Sequence, residues 1–243
     1  IKIKDLEVTN RSRVQTIRSC IEDNNETVLV FFCGWSGAIG YYSADYINQV
    51  LSGKRISSIY LTDPTLNWFS GGIAPLGKDI HSCAKGLNKL IDNLKSSKVI
   101  FIGSSITGLA AMHYAYYIQP KAVISFAGIM PSSKIKRGER QVDVTVSNKR
   151  KGQRSFIRNK KMENLYGNSE KALMGMSDEN IPLYYVYGSE NISDRATAGK
   201  LSQYGCTQLI PLKGVDTHSI SSYCIGMGIF MNLINHVIQT VDC

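Results

Sequence analysis

The chain has 243 residues, of which 43% are hydrophobic and 9% aromatic, and its formal net charge is +9. This composition is too apolar for a disordered chain, and the length suits one hydrophobic core, so we expect a single domain over residues 1–243. No run of about 18 apolar residues occurs, which argues against a membrane-spanning helix. The six cysteines are scattered without metal-type spacing. We therefore expect reduced thiols in a cytoplasmic protein, with no metal site and no disulfide framework.

The positive charge is concentrated in one segment. Residues 134–161 contain eleven basic and two acidic residues, an excess that equals the whole net charge of +9. Its basic residues include Arg137, Arg140, Lys149, Arg150 and Arg154. The segment has one aromatic residue and no nucleic-acid recognition motif, so we do not expect nucleic acid as a partner.

Short apolar runs that suit buried strands alternate along the chain with longer amphipathic stretches that suit helices. In chain order we predict a strand at 27–33, a helix at 43–51, a strand at 56–61, a helix at 79–94, a strand at 98–102, a helix ending near 118, strands at 121–127 and 183–187, a helix at 194–203, a strand at 207–212 and a helix after 218. This order predicts an α/β fold with a mostly parallel sheet flanked by helices. The alternation stops over about 128–180, which we interpret as a basic cap or lid inserted over the sheet.

The strongest local motif is Gly103-Ser104-Ser105-Ile106-Thr107-Gly108, which joins a predicted buried strand to a helix of small residues. A sharp turn at this point would lift the Ser105 hydroxyl clear of the sheet. The motif resembles the nucleophile elbow Gly-x-Ser-x-Gly of the α/β-hydrolase superfamily, with Thr107 in place of the last glycine. The resemblance implies an α/β-hydrolase fold with Ser105 as the nucleophile. Ser104 is the neighbouring alternative, and a phosphate-binding turn is the non-catalytic one.

A nucleophilic serine needs a base and an acid that orients the base. The resemblance implies a histidine in the loop after the last strand, where His218 lies, whereas the other three histidines fall within predicted helices. The family's acid usually stands about three residues past the glycine at 188, where this chain has Asn191. Glu190 is the preferred candidate because it is nearest the strand end. Asp194 is the second, although it also suits a helix cap.

The resemblance also implies an oxyanion hole made of backbone N–H groups. One donor would be Ile106, the residue after the nucleophile. The other would come from the glycine-containing loop after the first strand, where Gly34 and Trp35 are the candidates, because glycine permits close backbone approach.

Three further stretches, 32–35, 62–69 and 71–73, look like those of a bacterial branch associated with O-acetylation of capsule and surface glycans. This likeness implies transfer of an acetyl group from acetyl-coenzyme A, with no bound cofactor, to an acidic polysaccharide. The basic segment would attract such an anionic glycan. A solvated lid and peripheral contact with an anionic membrane are the alternatives. Asp63 and Trp68 are candidate pocket residues, with a structural turn as the alternative.

Two other functions are also compatible with the sequence. A carboxylesterase or thioesterase would use the same acyl-enzyme and differ only in passing the acyl group to water. A non-catalytic binding protein on a hydrolase scaffold is favoured by the two departures from the family pattern, Thr107 and Asn191. The sequence carries no prediction of oligomeric state.

Overall fold

A computed structural model describes residues 16–23, 25–34, 37–65, 67–130 and 169–241. The strands in these ranges are β1 (Ile17–Cys20), β2 (Thr27–Phe32), β3 (Ala38–Ile39), β4 (Tyr42–Ser43), β5 (Ile56–Leu61), β6 (Lys98–Ser104), β7 (Ala122–Phe126), β8 (Leu183–Gly188) and β9 (Thr207–Leu212). The helices are α1 (Ala44–Leu51), α2 (Ile80–Asp92), α3 (Ile106–Ile118), α4 (Ser169–Asp178), α5 (Ile192–Leu201), α6 (Ile220–Gly226) and α7 (Phe230–Thr240).

Seven of the strands form one sheet in the order β1-β5-β2-β6-β7-β8-β9. All neighbours are parallel except β1, which pairs antiparallel with β5 at one edge. The predicted α/β architecture, a mostly parallel sheet flanked by helices, is therefore confirmed. Parallel pairing brings the carboxyl ends of β2, β6, β7, β8 and β9 to the same edge of the sheet, which is where the loops that carry the candidate site begin.

Apolar side chains are buried on both faces of the sheet. In β2, Val28 and Val30 pack in the core that α2, α3, α4 and α5 cover, while Leu29 and Phe31 pack in the core beneath α1, α6 and α7. A strand covered on both faces has no polar side, and this explains the unbroken apolar run from which the strand was predicted.

The structure adds elements that the sequence pattern did not predict. Strand β1 and the small β3–β4 hairpin are short, and α4 falls inside the stretch interpreted as an insertion at 128–180. Helix α4 buries Ala172, Leu173 and Met176, and it packs on α3 as part of the main core. The last predicted helix is divided into α6 and α7 at Gly228, which has a φ of 70°.

The basic segment at 134–161, with Arg137, Arg140, Lys149, Arg150 and Arg154, lies outside the described residues. Its predicted place over the sheet stays a prediction. Across the described ranges, no helix is both long enough and apolar enough to cross a membrane.

Candidate active site

Ser105 lies in a strained turn between the end of β6 and the start of α3. Its φ of 54° and ψ of −122° fall in a region that residues with a Cβ rarely adopt. Two backbone hydrogen bonds hold the turn: the Ser105 N–H donates to the Phe126 carbonyl at 2.8 Å, and the Ile129 N–H donates to the Ser105 carbonyl at 3.2 Å. The end of β7 and the loop after it therefore fix the serine in a conformation that the isolated peptide would leave.

The residues around Ser105 show why this sequence makes so tight a turn. A Cβ on Gly103 would lie 2.3 Å from the Thr107 carbonyl oxygen, and a Cβ on Gly108 would lie 2.4 Å from the Ser125 hydroxyl. Thr107 is buried, and its hydroxyl donates to the Ser104 carbonyl and accepts from the Ser104 N–H, both at 3.0 Å. The departure from Gly-x-Ser-x-Gly therefore has a structural role, and the close approach to β7 is made by Gly108.

His218 follows β9 in a loop that crosses over the end of β8. A Cβ on Gly188 would lie 2.4 Å from the Val215 carbonyl oxygen, and the same carbonyl accepts a hydrogen bond from the Glu190 N–H at 3.0 Å. The loop brings the imidazole to the elbow, where His218 Nε2 lies 2.9 Å from the Ser105 hydroxyl oxygen. The two residues are 113 positions apart in the chain, and β7 and β8 lie between the strands that precede them, so the loop over β8 is what brings His218 to Ser105.

Asp194 completes a hydrogen-bonded series. Its Oδ1 lies 2.7 Å from His218 Nδ1, and the residue is only 2% exposed. An anionic carboxylate at this position selects the tautomer that carries a proton on Nδ1, and it leaves Nε2 as an acceptor facing the Ser105 hydroxyl. The series of serine, histidine and aspartate can remove a proton from Ser105 and stabilise the imidazolium that results.

Glu190, the candidate that the sequence favoured as the acid, is not the carboxylate hydrogen-bonded to His218. Its carboxylate is exposed and accepts a hydrogen bond from the Ser189 hydroxyl at 3.0 Å. The sequence prediction placed the helix start at 194, whereas α5 begins at Ile192, so Asp194 falls in the first turn and points inward. Asn is a favoured N-cap residue, so Asn191 was the signal in the sequence that would have shown where this helix begins.

Ser104, the alternative nucleophile, and the other three histidines lie in other surroundings. The Ser104 hydroxyl lies 2.9 Å from the Ser221 hydroxyl. His113 is buried in α3 beside Ser169, with its Nε2 3.1 Å from that hydroxyl oxygen, and burial lowers its pKa to about 4. His81 and His236 lie in α2 and α7, as the periodicity predicted.

The proposed oxyanion donors are described in part. Ile106 is the first residue of α3, where backbone N–H groups have no partner within the helix. The register of β2 with β6 pairs Phe32 with Gly103, so the loop after β2 begins beside the elbow. The Gly34 N–H, however, donates to the Ala38 carbonyl at 3.0 Å, and it serves the loop instead of facing an oxyanion. Trp35 lies outside the described residues.

Asp63 is a loop anchor in the structure. It is 4% exposed, and its carboxylate accepts hydrogen bonds from the Thr65 N–H at 2.9 Å and the Phe69 N–H at 2.8 Å. Trp68, at a φ of 54° in the same loop, packs against the hydrophobic core. These contacts match the structural alternative for this loop, since the Asp63 carboxylate binds backbone N–H groups and Trp68 packs on the core. No cluster of three or more potential metal ligands is present among the residues that the structure describes.

No protein-family model matches the sequence, and no curated protein matches it significantly. Solved structures do match. A carboxylesterase structure from the ammonia-oxidizing thaumarchaeon Nitrososphaera gargenis aligns over 92% of this chain and 95% of its own, with a TM-score of 0.56 and 15% identity. An α/β-hydrolase enzyme from the metagenome of lagoon sediments at Mar Chica, Morocco, aligns over 93% and 95%, with a TM-score of 0.53 and 14% identity.

Est1E from Butyrivibrio proteoclasticus, solved with bound ferulic acid, aligns over 92% of this chain and 96% of its own, with a TM-score of 0.53 and 13% identity. Identities this low show the fold alone. Together with the sheet order and the strained strand–turn–helix at Ser105, these alignments show that the chain has the α/β-hydrolase fold.

Proposed function

We propose that the chain is a serine esterase that cleaves a carboxylic ester through an acyl-Ser105 intermediate. One observation carries this proposal: the Ser105 hydroxyl, both ring nitrogens of His218 and the buried Asp194 carboxylate form one series, with separations of 2.9 and 2.7 Å. A serine at a strained turn with a base in contact and an acid behind the base is the arrangement that nucleophilic acyl transfer requires.

The reaction follows from these atoms. The Ser105 oxygen attacks the ester carbonyl carbon while its proton moves to His218 Nε2. The carbonyl π electrons move to the carbonyl oxygen, which becomes the oxyanion. When the oxyanion collapses, the carbon–oxygen bond of the leaving alcohol breaks and His218 returns the proton to that oxygen. Water then attacks acyl-Ser105 with the same proton movements, and it releases the carboxylic acid and the free serine.

The start of α3 supports stabilisation of the oxyanion. The N–H of Ile106 is at the N-terminus of a 13-residue helix, where the aligned peptide dipoles favour negative charge. A donor at such a position typically contributes about 10²-fold or more to kcat in acyl-transfer enzymes. The second donor of the proposed oxyanion hole remains Trp35 or another amide of the loop after β2.

The two departures from the family pattern no longer favour a non-catalytic binding protein. Thr107 closes the elbow through the two hydrogen bonds of its hydroxyl, and Asn191 caps the helix that carries Asp194. Neither residue takes the place of a group that the reaction needs, since the acid function is available from Asp194.

A second candidate is transfer of the acyl group to a hydroxyl instead of to water. The excess positive charge of residues 134–161 favours an anionic acceptor such as an acidic polysaccharide, with acetyl-coenzyme A as donor. Hydrolysis is our first choice because the similar structures include carboxylesterases and the proposed machinery needs no further group. Both functions pass through acyl-Ser105.

The direct test is turnover of p-nitrophenyl acetate by the wild-type chain and by Ser105→Ala, with Ser104→Ala as the matched control. We expect Ser105→Ala to lose at least about 10³-fold in kcat and Ser104→Ala to keep most of the activity. Retained activity in Ser105→Ala would contradict the proposal.

Mass spectrometry separates the two acceptors. The chain is incubated with acetyl-coenzyme A, with and without an acidic oligosaccharide. Acetyl-Ser105 that disappears only when the oligosaccharide is present indicates transfer. Release of acetate at the same rate in both samples indicates hydrolysis.

A further inference from the structure

Asn191 connects the start of α5, which carries Asp194, to the loop that carries His218. It precedes α5 in an extended conformation, with a φ of −76° and a ψ of 111°, and its side-chain oxygen accepts a hydrogen bond from the Asp194 N–H at 3.1 Å. This bond caps the helix, and the residue that it holds is the one whose carboxylate binds His218.

The other end of the same amide reaches the histidine loop. Asn191 Nδ2 donates to the Asp216 carbonyl at 2.9 Å, two residues before His218. One partner is a donor and the other an acceptor, so the pair fixes which end of the amide is oxygen and which is nitrogen. The side chain of Asn191 therefore links the start of α5, which carries Asp194, to the loop that carries His218.

The carboxylate of Asp194 has few other constraints. Its Oδ1 is bound by His218, while its buried Oδ2 has no hydrogen-bond partner among the described residues. No second donor in that part of the chain then fixes the plane of the carboxylate. The position of Asp194 depends on the backbone at the start of α5, which the Asn191 cap holds.

The asparagine amide accepts the bond that caps α5 and donates the bond to the Asp216 carbonyl. Serine would keep the cap, because its hydroxyl accepts from the backbone at the N-terminus of a helix, but it is too short to reach the Asp216 carbonyl. Aspartate would keep the acceptor and lose the donor, and it would place a second negative charge beside Asp194. The amide is the side chain that supplies a donor and an acceptor without charge.

We propose that Asn191 is a positioning residue that sets the distance and orientation between Asp194 and His218. This inference rests on the proposed function. It assigns a role in catalysis to the position where the family pattern places the acid itself.

The test compares Asn191→Ser with Asp79→Ala. Asp79 caps α2, and its side chain accepts from the Ser82 N–H, so its loss removes a helix cap away from the site. We expect Asn191→Ser to lower kcat about threefold to tenfold with little change in KM, since one hydrogen bond that orients the triad is lost. Asp79→Ala should lower the melting temperature and leave kcat unchanged.

A double-variant cycle separates positioning from general stability. In the Asp194→Asn background, Asn191→Ser should have almost no further effect on kcat, because the acid that it positions no longer works. Equal effects in the two backgrounds, or an unchanged kcat in the single variant, would overturn the inference.

A measurement without substrate keeps the inference distinct from the proposed function. In protein labelled with ¹⁵N-histidine, the proton on His218 Nδ1 reports its hydrogen bond to Asp194. We expect Asn191→Ser to shift or broaden this resonance and Asp79→Ala to leave it in place. If the wild-type chain shows no Ser105-dependent turnover, the proposed function fails, and this resonance alone decides whether Asn191 holds the pair; an unchanged resonance would refute it.

Discussion

Asp194 and Glu190 are four residues apart, and the hydrogen bond to His218 is made by Asp194, so exchanging each for its amide tests which carboxylate acts. Asp194→Asn keeps the size of a side chain that is 2% exposed and removes its charge. The new amide can turn its NH₂ group toward His218 Nδ1 and favour the tautomer whose Nε2 carries the proton. That tautomer cannot accept the proton of Ser105.

The magnitude follows from the geometry. When the imidazolium forms, its charge lies about 4 Å from that of the carboxylate, and at an effective dielectric constant of about 20 the attraction is about 4 kcal/mol. Since about 1.4 kcal/mol corresponds to a tenfold change in rate, Asp194→Asn is expected to lower kcat about 10³-fold. The change of tautomer extends the expected loss toward about 10⁴-fold.

Glu190→Gln is the matched control, because the Glu190 carboxylate is exposed and bonded to Ser189. We expect its rate to stay within about twofold of the wild type. The assay is kcat and KM for p-nitrophenyl acetate at pH 8, with circular dichroism to verify that both variants fold. A loss in Glu190→Gln that equals or exceeds the loss in Asp194→Asn would refute the assignment of the acid.

Three other predictions concern the fold around the site. Gly108→Ala should destabilise the chain by about 1–3 kcal/mol in urea unfolding, because its Cβ would lie 2.4 Å from the Ser125 hydroxyl, whereas Gly199→Ala, which faces open space in α5, should be neutral or stabilising. His113 has a pKa of about 4 in the folded chain and an ordinary value of 6.5, so the unfolded state alone takes up its proton between these values. The contribution of His113 to the free energy of unfolding is therefore fully present above pH 6.5, and it falls by up to about 3 kcal/mol as the pH decreases to 4. His113→Gln should reduce the slope of the unfolding free energy against pH in this range. An equal slope in both proteins would contradict the prediction. Burial raises the pKa of the Cys33 thiol, so this cysteine should react with iodoacetamide only after unfolding, and peptide mapping that finds it modified in the native chain would contradict its burial.

The alternation of strands and helices could be predicted because each element has its own periodicity. The apolar run of β2 and the helical spacing in α2 are local properties that persist whatever they pack against. Ser105 and His218 were predicted from the resemblance to the nucleophile elbow and from the family's place for the base, and both lie in loops that follow recognisable strands.

Helix α4 was not predicted because it spans only ten residues, and its four apolar side chains do not by themselves establish a helical periodicity. It buries Ala172, Leu173 and Met176 against α3, and a Cβ on Gly175 would lie 2.4 Å from the ring of Tyr116. These contacts exist only in the assembled fold, so the isolated segment gives little sign of the helix.

The carboxylate that binds His218 is the site residue that the sequence pattern predicted least well. Distance along the chain from the end of β8 favoured Glu190, yet the direction of a side chain depends on where the helix begins and how it is rotated. Asn191 caps α5, which begins at Ile192, so Asp194 lies in the first turn with its side chain buried, whereas Glu190 precedes the cap and is exposed.

The layer architecture and the strand–turn–helix motif at Ser105 follow from local periodicity and from the glycines of the elbow, and the loop of His218 follows a recognisable strand. The strain at Ser105 is different, because backbone hydrogen bonds with Phe126 and Ile129 hold it. Which carboxylate lies behind the histidine, and what Asn191 and Thr107 do, depend on contacts that form only in the folded chain. Residues 105, 194 and 218 meet only when β6, β8 and β9 take their places in the sheet, and no local property of the chain encodes that meeting.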